Sequence, residues 1–153
     1  MADTTKLKTI VEAFVRDELR KWYPGHTFVD KHLPLHKKRD GTFAYHKFDA
    51  VSEDTSIVAN IKSSSWTTSA GKSPAGKVGG LFEDIYLLSL AEAKTKLLIL
   101  TDKESYERFT KTSDGKLAEG VEIRLCVLPP KLQEWVRHIQ QAASREMSGG
   151  KRS

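Results

Sequence analysis

Cysteine is almost absent from this chain. The one copy, Cys126, lies inside an apolar run. A lone thiol excludes an intramolecular disulfide and any cysteine-rich zinc site. Its apolar surroundings read as a buried core thiol in a reducing compartment. Long apolar runs are also missing: none approaches the roughly 20 residues that cross a bilayer. No partner membrane is therefore expected. The first residues, Met-Ala-Asp-Thr-Thr-Lys, contain no apolar stretch, so no secretory leader is expected. Neither Gly-x-Ser-x-Gly nor His-Glu-x-x-His occurs. The serines at 63–65 have no histidine at a recognisable spacing, which leaves hydrolase triads without support. Ala70-Gly71-Lys72-Ser73 has the ending of a phosphate-binding P-loop. The glycine required five residues before Gly71 is Trp66, however, and a helix should begin at the lysine, yet Pro74 and Gly76 follow.

What is present is an ordinary globular balance. The 153 residues are 39% hydrophobic and 29% charged, enough for one core in one domain. The expected boundaries are residues 1–147 for that domain and 148–153 for a disordered tail. A net charge of +5 is compatible with a polyanionic partner without requiring one.

Periodicity supplies the element order. Over residues 5–23, Leu7, Ile10, Val11, Phe14, Val15, Leu19 and Trp22 recur at three- and four-residue spacing, one helical stripe that Pro24-Gly25 ends. Short extended pieces follow at 27–29 and 32–35, then a turn marked by Asp40-Gly41. Residues 42–51 and 56–62 read as two strands joined by the polar Ser52-Glu53-Asp54-Thr55. In the second, Ile57, Ala59 and Ile61 share one face, and Val58, Asn60 and Lys62 share the other. Residues 63–80 have the composition of a long surface loop. A largely apolar helix is expected over 81–93, a strand at 97–101, a helix at 103–111, a strand at 121–128 and a last helix at 131–146. The class is α/β, with a mixed central β-sheet flanked by helices.

One constellation carries chemistry. Metal-assisted phosphodiester cleavage needs carboxylates to hold a hard cation such as Mg2+, and a basic side chain to position water or balance charge on the transition state. Two neighbouring strands can supply these, because residues two apart in a strand converge on one point. Asp49 lies near the end of one strand. Asn60 and Lys62 lie two apart on the next, and Lys62 places a charge at the end of an otherwise apolar run.

Phe48-Asp49, Asn60-Ile61-Lys62 and the following Ser63-Ser64-Ser65 resemble the PD-(D/E)XK nuclease superfamily. The resemblance covers the element order over most of the chain. Phe48 stands where the family often has proline. Asn60 stands where it has Asp or Glu, and an amide oxygen ligates without charge. Three explanations compete: activity with asparagine, an acid supplied from elsewhere such as the next helix, or an inactivating substitution. The resemblance implies a restriction-endonuclease-like core and a Mg2+-dependent (Mn2+ possible) DNA endonuclease, in an intracellular, bacterial, archaeal or phage-like setting. The alternative is an inactive nuclease-fold module that binds DNA or a protein.

Under this resemblance Asp49, Asn60, the Ile61 carbonyl and Glu12 are metal ligands, with Glu12 orienting water. Lys62 is the catalytic cation. Glu18 and Glu83 are the other acids that could complete the site. Lys47, Ser63, Ser64, Trp66, Lys72 and Lys77 are candidate DNA contacts, although Trp66 also suits packing on the domain and charge runs also suit a solvated face. Cutting both strands of a duplex with one site per chain implies a homodimer.

Overall fold

A computed structural model describes residues 4–66 and 75–150, without the side chains of Thr4 and 143–150. The elements are α1 (Thr4–Trp22), β1 (Phe28–Lys37), β2 (Phe43–Ser52), β3 (Ile57–Lys62), α2 (Ala75–Leu90), β4 (Thr95–Leu100), α3 (Lys103–Thr112), β5 (Val121–Leu125) and α4 (Pro130–Gly150). The order matches the expectation element for element.

The strands form a five-stranded mixed sheet in the order β1-β2-β3-β4-β5. The first three pair antiparallel, and β3-β4-β5 pair parallel. The alternation between strand faces separates two cores. Ile57, Ala59, Ile61, Leu97 and Ile99 pack with Leu7, Val11, Val15 and Leu19 of α1 and Val136 of α4. Phe48, Val51, Val58, Leu98 and Leu100 pack with Leu81, Ile85 and Leu88 of α2 and Phe109 of α3. Leu97, Leu98 and Ile99 are fully buried, as expected for a parallel strand covered on both faces. Cys126 is buried in the α1–α4 core, and burial pushes its thiol up to about 11.

The boundaries differ from the sequence reading in three places. The two extended pieces around residue 30 are one ten-residue strand, β1, because pairing with β2 overrides weak local patterning. Helix α2 begins at Ala75, inside the stretch expected to be loop. Glycines at 76, 79 and 80 lower helix propensity there, but the helix they open is held by Leu81, Ile85 and Leu88, which are buried further along it in the core on this face of the sheet. Strand β5 ends at Leu125 and α4 continues to Gly150, past Glu146 and into the segment expected to be a tail. Among the described residues, no helix is long and apolar enough to cross a membrane.

Candidate functional site

The site begins with an irregularity in β2. Val29 pairs with Val51 and Lys31 with Phe48, so Asp30 of β1 faces two residues of β2, Asp49 and Ala50. That is a β-bulge, a device that bends a strand and redirects a side chain. β2 and β3 pair through Ala50–Ala59 and Val51–Val58. At the next step the Asp49 side chain takes over, its Oδ2 accepting from the Ile61 backbone N at 2.8 Å. The Asp49 backbone carbonyl is held in turn by Arg16 of α1, whose guanidinium donates to it at 2.9 Å. Asp49 is thus fixed from both sides at the fork where β2 leaves β3.

The end of β3 points its groups into the same fork. The Lys62 carbonyl accepts from Thr101 N on the β4 side. Successive carbonyls of a strand point in opposite directions, so the Ile61 carbonyl is directed toward β2 and Asp49. The Lys62 side chain is 45% exposed, and its Nζ lies 3.3 Å from Asp84 Oδ2 of α2. This is an ion pair rather than an aligned hydrogen bond, since that oxygen has no hydrogen-bond partner. Asn60 is buried on the same face of β3, and its Nδ2 also has none.

Asp84 is the residue that sequence reasoning missed. Glu83, the helix acid singled out, is exposed and points away from the sheet. Asp84 is buried one position later. The signal was available: residues 81, 84, 85 and 88 fall on one helical stripe, and three of the four are apolar. A carboxylate on such a stripe is costly unless something compensates it.

From the other face, α1 contributes Glu12, which is 8% exposed. Lys8 and Arg16 approach it only to 3.9 Å each, and its Oε2 has no hydrogen-bond partner. Burial raises the Glu12 carboxyl above its ordinary value, and the charge of Asp49 raises it further. Burial likewise raises Asp84, against the opposing pull of Lys62. Asp49 acts on both acids, so its charge reaches the two sides of the sheet. Glu18 takes no part: it pairs with Lys21 at 3.0 Å, and its charge acts on Cys126.

A cleft of about 260 Å3 opens beside these groups, lined by Lys8, Val11, Glu12, Ile61, Lys62 and Ser63 among others. Ser63 and Ser64 form its lip. Their carbonyls accept from Gln140 of α4 at 3.0 Å and from Ser105 of α3 at 3.0 Å, so the chain leaving β3 is held by both later helices. A larger cavity of about 470 Å3, lined by Trp66, Glu107, Arg108, Lys111 and Thr112, contains none of the acids around Asp49.

The expected DNA contacts divide. Lys47 is exposed beside Asp30, at 3.1 Å. The Lys77 ammonium donates to the Ser65 carbonyl at 2.6 Å and so holds the chain after β3. Trp66 is 9% exposed and packs in the α2–α3 core while lining the larger cavity, the packing role that the sequence also allowed. Lys72 lies outside the described residues.

The donors around Asp49 are all oxygens: three carboxylates, the Asn60 amide and the Ile61 carbonyl. That set suits a hard cation, which takes one or two carboxylates and completes its shell with water and phosphate. Two of the carboxylates carry buried oxygens without hydrogen-bond partners, Glu12 Oε2 and Asp84 Oδ2. The acids do not close into a tight cage. Among the described residues, the one group of three acid or histidine donors within 4.8 Å of each other is His26–Glu53–Asp54, beside the β2–β3 turn. No family model matches the chain, and no curated protein or solved structure matches it.

Proposed function

We propose that this protein is a metal-dependent endodeoxyribonuclease with a restriction-endonuclease-like core, in which Asp84 replaces the acid that Asn60 lacks. The observation that carries this reading is the Lys62–Asp84 pair. It brings a buried carboxylate from α2 to the lysine at the end of β3, on the face that Asn60 shares.

The division of roles follows from the surroundings of each group. Asp49 and Asp84 would hold the ion, together with the Ile61 carbonyl and, weakly, the Asn60 amide. The ion, Mg2+ or Mn2+, supplies Lewis-acid polarisation of the phosphate and acidifies water. Glu12, with its raised affinity for a proton and its position on the cleft, accepts a hydrogen bond from the attacking water and orients it. Lys62 is exposed enough to reach a phosphate while Asp84 limits its motion, and it balances the charge gathering on phosphate oxygens. Cleavage of both strands calls for two copies of this site, hence a homodimer in an intracellular setting.

A specific observation favours one second reading, a module that binds DNA without cutting. Asn60 is neutral, buried and left with an unpartnered Nδ2. Incubation with supercoiled plasmid and Mg2+ or Mn2+ separates the two. The nuclease reading expects nicking by the natural protein, reduced most strongly in Asp49→Ala and less so in Asp84→Asn. Cleavage by Asn60→Glu alone would make Asn60 an inactivating residue. Absence of nicking by every variant, with no metal uptake in calorimetry, sinks the nuclease reading.

A further inference from the structure

We infer that the outer half of the β1–β2 ribbon is an arm that binds duplex DNA along its α1-side face. It rests on the nuclease reading only for the identity of the polyanion.

The arm is a consequence of unequal strand lengths. β1 and β2 are ten residues each, whereas β3 is six and pairs with β2 through Ala50 and Val51. The stretch of β2 from Phe43 to Phe48 therefore has β1 as its only strand neighbour among the described residues. Six residues at strand rise extend roughly 20 Å.

Its two faces differ. Leu33 and Phe48 are buried against the α2–α3 core, and Leu35 packs beside them. The alternating positions on β2, Phe43, Tyr45 and Lys47, point the other way and are exposed, with Tyr45 at 63%. Register places Pro34 across from Tyr45, His32 across from Lys47 and Lys37 across from Phe43. Cross-strand partners share a face, so Lys37 joins this side, its ammonium 5.9 Å over the Phe43 ring. The charge of Lys47 reaches Glu12, which ties the face to the candidate site. The surface runs outward from Glu12 through Lys47 and Tyr45 to Phe43 and Lys37.

Charge decides the occupant. Residues 30–47 contain five Lys or Arg (Lys31, Lys37, Lys38, Arg39, Lys47) and two acids, Asp30 and Asp40, a net of +3 where the whole chain has +5. Asp30 is taken up by Lys47 at 3.1 Å. Asp40 is engaged in the turn, accepting from Thr42 N at 3.0 Å and from Thr42 Oγ1 at 2.7 Å. Lys31, across from Phe48, lies on the other face. At the tip, among the described residues, no carboxylate lies within ion-pairing distance of Lys37, Lys38 or Arg39. An antiparallel two-stranded ribbon has the width that the major groove of B-DNA admits, and unpaired cations at its tip meet the flanking phosphates.

The test is fluorescence anisotropy with a labelled 20-bp duplex in EDTA, so that binding is read without cleavage. The variant Lys37→Ala/Lys38→Ala/Arg39→Ala is expected to weaken binding about tenfold or more near 0.1 M salt, and to reduce the slope of log affinity against log salt by about 2 to 3. Tyr45→Ala should cost about fivefold through lost apolar contact with the groove. Lys103→Ala/Lys111→Ala/Lys116→Ala, which removes the same charge from the opposite side, should change binding by no more than about twofold. All these side chains are exposed, and circular dichroism with thermal melting checks that each variant folds. Equal weakening by both triple variants, natural affinity in the arm variant, or tighter binding of single-stranded DNA or RNA than of the duplex would overturn the arm. Arm-dependent binding without any cleavage in Mg2+ or Mn2+ would leave the arm standing and remove the nuclease reading. Cleavage that persists unchanged in the arm variant would do the reverse.

Discussion

Two clusters of acids flank β2 and β3, and their carboxylates are treated in opposite ways. Beside the connecting turn, Asp54 accepts from Ser52 Oγ at 2.9 Å, Ser56 N at 3.0 Å and Ser56 Oγ at 2.6 Å. Glu53 accepts from Thr27 N at 3.0 Å, with His26 Nδ1 equally close. Both carboxyls are exposed and held below their ordinary range, Asp54 by its three hydrogen bonds above all. This cluster tightens a turn in which Thr55 adopts a φ of 61°, a conformation that costs a non-glycine residue energy. At the fork, Glu12 and Asp84 are buried and raised, and each keeps an oxygen without a hydrogen bond, with cations at 3.9 Å from Glu12 and 3.3 Å from Asp84. Acids that stabilise structure are satisfied by it. Acids that keep a buried oxygen without a hydrogen bond are the ones the proposed function assigns to an ion and a water.

Mutations at the two clusters should have opposite outcomes. Lys62→Ala or Asp49→Ala should lower plasmid nicking about a thousandfold, the scale of losing a principal charge at a reacting phosphate. Asp54→Ala should leave nicking unchanged and lower the melting temperature instead. Equal nicking by Asp54→Ala and Asp49→Ala would erase the distinction.

Asp84→Asn comes next. A drop of about a hundredfold in nicking is expected, with apparent metal affinity weakened in the same titration. Unaltered metal affinity would remove Asp84 from the ion and return attention to Asn60.

The pH profiles should run in opposite senses. Glu12 and Asp84 have raised values, so cleavage should fall away on acidification at a pH above the ordinary carboxylate values of 4.5 and 3.8. Their contribution to stability has the reverse sign. It is fully present below those ordinary values and lost as pH rises through the raised ones. Asp54 and Glu53 contribute stability above 3.8 and 4.5, and it is lost as pH falls through their lowered values. Rate–pH curves and melting curves from pH 3 to 9 (a range of about six units) follow the raised acids through their shift and catch the onset of the loss from Asp54 and Glu53. A cleavage limb at or below the ordinary carboxylate range would contradict the raised values.

The smallest effect is expected from Glu12→Gln. Removing a buried charge that repels Asp49 should stabilise the protein by about 1 kcal/mol at neutral pH while nicking falls. A loss of stability there would show that Lys8 and Arg16 bind Glu12 more strongly than their 3.9 Å separations suggest.

Much of this was legible in the chain itself, and for physical reasons. The stripe of Leu7, Val11, Val15 and Leu19 determined α1 and its buried face. The alternation along Ile57-Val58-Ala59-Asn60-Ile61-Lys62 determined which β3 side chains share a face, because a strand has a period of two wherever it lies. The element order and the position of Asp49 and Lys62 on neighbouring strands followed from local pattern alone. Three things depended on contacts distant in sequence. The bulge that turns Asp49 into the fork arises from pairing with β1, two residues against one, which no local pattern records. The 81-84-85-88 stripe already marked Asp84 rather than Glu83 as the buried acid, but its meeting with Lys62 was set by the way α2 docks on the sheet. The isolation of the arm came from the shortness of β3, which leaves the outer part of β2 without a second strand neighbour. Sequence determined which side chains could act together; tertiary structure decided which acids lost their water, and loss of water is what makes a carboxylate costly, basic and ready for a cation.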